Sequence, residues 1–200
     1  MPSKREKRNK RIRKEKTKSY LMSAVEVFEE QGFHDTRVKD ITNRAGTSVG
    51  NFYRYFESKE SIFEELINRL YKLMMKKLKQ LDNYEIPPVP EIKNLLRGYM
   101  KMFKDRKNIF LIYIEQMAGI SKGYSDLKNE YQENFTAEVE KIIKRVVDSG
   151  LGREQNTRLT ARLWVSCILD GFHWWIRLGN IEEKKFIDNL TYFLVSATMK

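Results

Sequence analysis

An all-α fold of about nine helices is what this 200-residue chain predicts. Three observations carry the prediction. Apolar side chains recur at helical spacing almost throughout, and no strand-like alternation persists. Glycine (10) and proline (4) are too sparse for a turn-rich β-sandwich. Where they do occur, they punctuate the periodic segments rather than interrupt them.

The elements follow in order. Leu21, Ala24, Val25 and Phe28 make an i, i+3, i+4, i+7 stripe, which Gly32 ends as a C-terminal glycine does. Asp35-Thr36 offers an N-cap for a short helix with Val38, Ile41 and Ala45 inward, and Gly46 breaks it. Thr47 or Ser48 caps a third helix whose inner face is Val49, Phe52 and Phe56. Ser58 caps a fourth, from Lys59 to about Leu81, with Glu60 and Glu64-Glu65 at its positive end. The segment YEIPPVPEI holds three of the four prolines and separates this part from the rest. Five more helices are expected at 90–104, 107–120, 125–148, 155–178 and 182–199.

Charge is distributed unevenly. Of the net +11, residues 1–18 carry +8, from ten Lys or Arg against two Glu, and the remainder is nearly balanced. A basic arm on a near-neutral body points to a polyanion, and nucleic acid suits it better than a membrane surface. Ile12 is the arm's single large apolar residue before Tyr20, which is poor membrane anchoring. The apolar runs are far shorter than the roughly 20 residues that span a bilayer, so no membrane partner is expected. One cysteine, Cys167, excludes an internal disulfide and fits a reducing, cytoplasmic setting. Two histidines on separate elements, with no metal-spaced cluster and no phosphate loop, argue against an enzyme. No catalytic residue, metal or cofactor is expected.

Two short helices joined by a glycine turn, with a third helix braced across them, make a helix-turn-helix reader. On its second short helix Ser48, Gly50, Asn51, Tyr53, Arg54 and Tyr55 face outward. Gly50 permits close approach of backbone to DNA, Asn51 suits adenine N6/N7, and the tyrosines suit phosphate and sugar. Ser48 and Thr36, with the amides at the two helix N-termini, suit phosphate.

Residues 19–66 resemble the DNA-binding domain of TetR-type transcriptional regulators. The matching residues are Phe28, Gly32-Phe33, Thr36, Asp40-Ile41, Ala45-Gly46, Ser48, Gly50, Tyr53, Tyr55-Phe56 and Ser58-Lys59-Glu60. The resemblance implies a phosphate anchor at Thr36 supported by Arg37, and a base-reaching Lys39. It implies a reading surface of Val49, Gly50 and Asn51, backbone grip by Tyr53 and Tyr55, and a phosphate-binding Lys59. Many members carry His where this chain has Tyr55. The basic arm would then enter an adjacent minor groove or track phosphates.

The expected organisation is an arm at 1–14, a helix-turn-helix domain at 15–62, and a helical effector-binding and dimerisation domain at 63–200. Large soft residues gather in the latter: Tyr71, Met75, Tyr99, Met102, Phe103, Phe110, Tyr113 and Met117, with Glu115 a lone acid in an apolar run. Each one taken singly reads as core, but the resemblance implies a pocket there for a small, largely apolar effector. The last two helices are rich in aromatic surface, and Gly171, Trp174, Phe186, Leu190 and Phe193 are the expected homodimer face. The functional expectation is a sequence-specific regulator of double-stranded DNA, repressing until an effector releases it. The rival is a DNA-binding adaptor or architectural protein that answers to a protein partner and no small molecule.

Overall fold

Residues 3–117 and 121–200 are described by a computed structural model. They form helices α1 (Lys4–Asp35), α2 (Val38–Arg44), α3 (Val49–Phe52), α4 (Lys59–Leu78), α5 (Val89–Asp105), α6 (Lys107–Leu111), α7 (Lys122–Asp148), α8 (Thr157–Leu178) and α9 (Glu183–Thr198). No β-strand occurs among the described residues. One antiparallel backbone bridge, Gly152 to Met199, ties the turn after α7 to the end of α9. The chain divides into two compact units, Met1–Leu70 and Tyr71–Lys200, with the division inside α4.

The first unit begins with the basic arm, which is helix from Lys4 onward and continuous with the rest of α1. Lys and Arg are good helix formers, and Ser3 and Glu6 close a reciprocal capping box in front of them. At Gly32 (φ +79°) α1 breaks, in a backbone region that only glycine enters at low cost. The next turn carries Phe33 back over Phe28 and Phe63, with ring centroids 5.4 and 5.0 Å away. α2 is capped from within. Its Asp40 carboxylate accepts from the Arg37 amide at 2.8 Å, so Asp35 and Thr36 do not supply the cap expected of them. Gly46 (φ +62°) makes the turn into α3, whose Ser48 Oγ accepts from the Asn51 amide at 3.2 Å. Ser58 and Ser61 cap α4 reciprocally.

In the second unit α5 starts with Pro90 in its first turn, where a missing N–H costs nothing. α6 continues as a π-helical turn, Ile112–Gln116, and the end expected at 120 lies outside the described residues. Its core is a ladder of rings. Phe103 packs on Phe110 at 4.1 Å and on Phe172 at 5.2 Å, and Phe172 meets Phe186 at 5.4 Å. Tyr99 is fully buried and donates to the Met74 carbonyl at 3.0 Å. Burial drives its phenol well above the ordinary range.

Candidate nucleic-acid interface

A four-residue helix cannot hold itself together in water, so α3 depends on what lies beneath it. Tyr20 of α1 supplies that floor. Its buried ring meets Phe52 edge-on at 5.5 Å and Phe56 at 6.2 Å. Its hydroxyl is 2.6 Å from Thr47 Oγ1 and accepts from Asn51 Nδ2 at 2.9 Å. One side chain therefore fixes the turn, the start of α3 and its inner face. Sequence reasoning missed Tyr20, although Tyr20, Ala24 and Val27 form an i, i+4, i+7 stripe of their own. α2 is held from the other side. The Arg44 guanidinium spans Glu26 at 3.0 Å and Glu30 at 2.5 Å, and its hydrogen bond holds the Glu30 carboxyl below its usual range.

What remains exposed is a small polar face. Val49 is 38% exposed and Tyr53 56%, with Gly50, Ser48 and Arg54 beside them in solvent. Val49 was expected to face inward by its spacing. A four-residue helix has one inward position per turn, and Phe52 takes it. Arg37, just before α2, and Lys39, on it, are exposed.

Three expected contacts are engaged elsewhere. Thr36 is 1% exposed and its hydroxyl donates to the Gly32 carbonyl at 2.6 Å, so it closes the α1 break instead of presenting an anchor. Lys59 Nζ donates to the carbonyls of Phe33, His34 and Thr36 at 2.7, 3.0 and 2.9 Å, and sits 4.5 Å from the Phe33 ring centroid. A lysine at a helix end satisfies orphan carbonyls and the negative end of the dipole, and here that is its task. Asn51 is half-buried with its amide nitrogen turned to Tyr20, and pairing with adenine through both of its groups needs that bond released. Tyr55 is also half-buried, its ring 5.5 Å from Tyr20, leaning on α1 as well as on the surface.

This arrangement matches a known sequence pattern. The tetR family of bacterial regulatory proteins matches residues 21–66, from the second half of α1 through α2 and α3 into α4. The likeness to that family rests on this segment of the chain. Among curated relatives it is 42% identical over 62 residues to YdgC of Bacillus subtilis, an uncharacterised helix-turn-helix transcriptional regulator, covering 31% of this chain and 32% of that one. It is 29% identical over 105 residues to the Escherichia coli regulator RutR, covering 52% and 49%. The matches thus span a third to a half of these relatives' lengths. Over the whole fold it superposes on SmeT of Stenotrophomonas maltophilia, solved with triclosan, at a TM-score of 0.80 and 19% identity, covering 92% of each chain. YdgC and RutR are both named as helix-turn-helix transcriptional regulators.

In the second unit, the residues expected to line an effector pocket divide. Tyr99, Met102, Phe103, Phe110, Tyr113 and Met117 are all buried, and several pack ring on ring. Tyr71 is half-buried and stacks on Tyr131 at 4.1 Å, and Met75 is half-buried. Glu115 is engaged. Arg177 Nε donates to its Oε1 at 2.6 Å, Arg177 Nη2 reaches Oε2, and His173 Nε2 lies 2.8 Å from Oε1. The Arg177 bond, with His173 behind it, holds the Glu115 carboxyl below its ordinary range. A cationic ligand would have to displace Arg177.

The sign of the Glu115 effect fixes a prediction. A depressed carboxyl contributes stability above its unfolded value, near 4.5, and loses it as pH falls through the lower folded value. Melting of Glu115→Gln should fall below wild type by about 1 kcal/mol or less near pH 7. The two should converge in the pH window below 4.5. A gap that persists below that window would place the effect in packing.

The expected dimer residues also divide. Trp174 is 39% and Phe193 57% exposed, and Leu159, Leu163, Leu178 and Tyr192 are exposed on the same two helices. Phe186 is only 9% exposed, packed on Phe172 and Trp175, with its ring 3.6 Å from where a Cβ on Gly171 would stand. It belongs to the core within one chain, and Gly171 makes room for it. Leu190 is half-buried.

Proposed function

We propose that this chain is a sequence-specific transcriptional regulator that binds a palindromic operator as a homodimer, represses, and is released by a small, largely apolar effector. One observation carries the reading. Val49 and Gly50 stand exposed on a short helix, and Tyr53 and Arg54 just after it, above an aromatic floor in which Tyr20 and Phe56 pack on Phe52. A face of that size enters a major groove, where base edges are distinguishable. The cytoplasm is the setting such a regulator requires, and no helix among the described residues is long and apolar enough to cross a membrane.

Selection of bound duplexes from a random pool, at about 150 mM salt to suppress nonspecific phosphate binding, tests it. An enriched palindrome is expected, its half-sites about one helical turn or more apart. Retention without a consensus would remove the base-reading role of α3.

Dimerisation is proposed through the exposed apolar side chains of α8 and α9. Trp174→Arg and Phe193→Arg should each give monomers in sedimentation, with operator affinity reduced by about 100-fold or more. Both positions are exposed in the chain, so the fold should survive. A stable dimer from both variants would move the interface elsewhere.

The rival, an adaptor without an effector, is favoured by one observation: Phe103, Phe110 and Phe172 fill the interior of the second unit with mutual ring contacts. A solvatochromic apolar dye that binds and is displaced by candidate effectors supports the sensor. Failure of the dye to bind supports the adaptor.

A further inference from the structure

The helical arm changes what the N-terminal charge can do. An α-helix with side chains is about 10–12 Å across and a B-form minor groove about 6 Å wide, so an arm in this conformation cannot enter that groove. Its charges are sorted by helix face. Lys4, Lys7, Arg8, Arg11, Lys14 and Lys18 fall on one stripe at helical spacing, all in solvent. Asn9, Ile12 and Arg13 fall on the opposite side and, with Arg54 and Tyr55, line a cleft of about 350 Å³. This cleft joins the arm to the segment that follows α3, and Tyr55 is already braced against Tyr20 of the same helix. Among the described residues neither Arg13 nor Arg54 has an acidic partner. Two unpaired guanidiniums and a phenolic hydroxyl around one cleft match the donor set for a phosphate oxygen.

Building on the reading of α3 as a DNA reader, we propose that this cleft clamps one backbone phosphodiester of duplex DNA. Arg13 and Arg54 donate to its oxygens and the Tyr55 hydroxyl completes the grip. The arm works as a rigid strut that sets Arg13 in place, not as a flexible tail. The cationic stripe on its far side is left to the general field around the DNA.

The test measures affinity against salt for full-length protein on two duplexes of equal length, the selected palindrome and a scrambled sequence. Arg13→Gln and Arg54→Gln should each flatten the slope of log K against log salt by about 0.9 on both duplexes. The double variant should lose less than the sum of the singles, because they share one phosphate. Melting should hardly move, since both side chains are exposed. One alanine inserted after Lys16 turns the arm by about 100° and should reproduce Arg13→Gln. A flexible arm would absorb that insertion without effect, which would overturn the strut. Unchanged slopes with a retained preference for the palindrome would overturn the clamp and leave the reading of α3 standing. Flattened slopes with no preference between duplexes would do the reverse.

Discussion

Gly50→Glu should abolish operator binding while leaving the fold as stable as before or slightly more so. No atom lies within 4 Å of a Cβ built at Gly50, and its backbone is outside the left-handed region, so a side chain is accommodated. Replacing a helical glycine gains up to about 1 kcal/mol of propensity, less in a helix this short. On the proposed reading of α3, the same exposure makes the position decisive for DNA. Five added heavy atoms and a negative charge would stand where the backbone of α3 must approach a base edge or phosphate. A loss of about 100-fold or more in affinity, near 3 kcal/mol, with an unchanged melting curve is the expected pair of results. Gly50→Ala should lose far less. Binding that survives Gly50→Glu would show that this face does not meet DNA.

Lys59→Met separates two roles that look alike in sequence. If the ammonium holds the end of α1, removing it strands the carbonyls of Phe33, His34 and Thr36. Hydrogen bonds that involve a charged group contribute about 1.5–3 kcal/mol each, net of the exchange with water. The three share one donor and the site is half-exposed, so a loss of about 2–3 kcal/mol in total is expected. For a unit of this size that lowers Tm by about 10–20 °C. Well below the melting range, the salt slope of DNA binding should be that of wild type, because no phosphate contact has gone. A phosphate-binding lysine predicts the converse, with Tm held and the slope flattened by about 0.9. The role implied by resemblance and the role seen in the structure are thus divided by one variant and two measurements.

The division between what was legible and what was not follows the range of the interactions. Helix positions were legible because their signals are local. Gly32 and Gly46 adopt the positive φ that ends α1 and makes the α2–α3 turn, and Ser48 and Ser58 accept from amides three residues on. The helical arm was legible too, in the Ser3–Glu6 spacing, but its density of charge drew attention to partners and away from conformation. Side-chain assignments fared differently. Thr36, Asn51 and Lys59 were placed at the DNA surface because their types suit phosphates and bases. Thr36 instead turns back four residues onto Gly32, while the other two have partners on another element: Tyr20 for Asn51, and three carbonyls at the α1 break for Lys59. Phe186 and Phe193 have the same character and lie one turn pair apart, yet one fills the core and the other faces solvent.

The sequence by itself therefore determined most of the helices, the glycines and serines that bound several of them, the basic arm and the place of the helix-turn-helix, because 3.6-residue periodicity, caps and charge act within a few residues of the chain. Only the tertiary structure decided which of the polar and aromatic side chains are free to meet DNA or another protein. A donor or a ring satisfies the nearest group in space, and across α1, α3 and α4 that group lies more than twenty residues away in sequence.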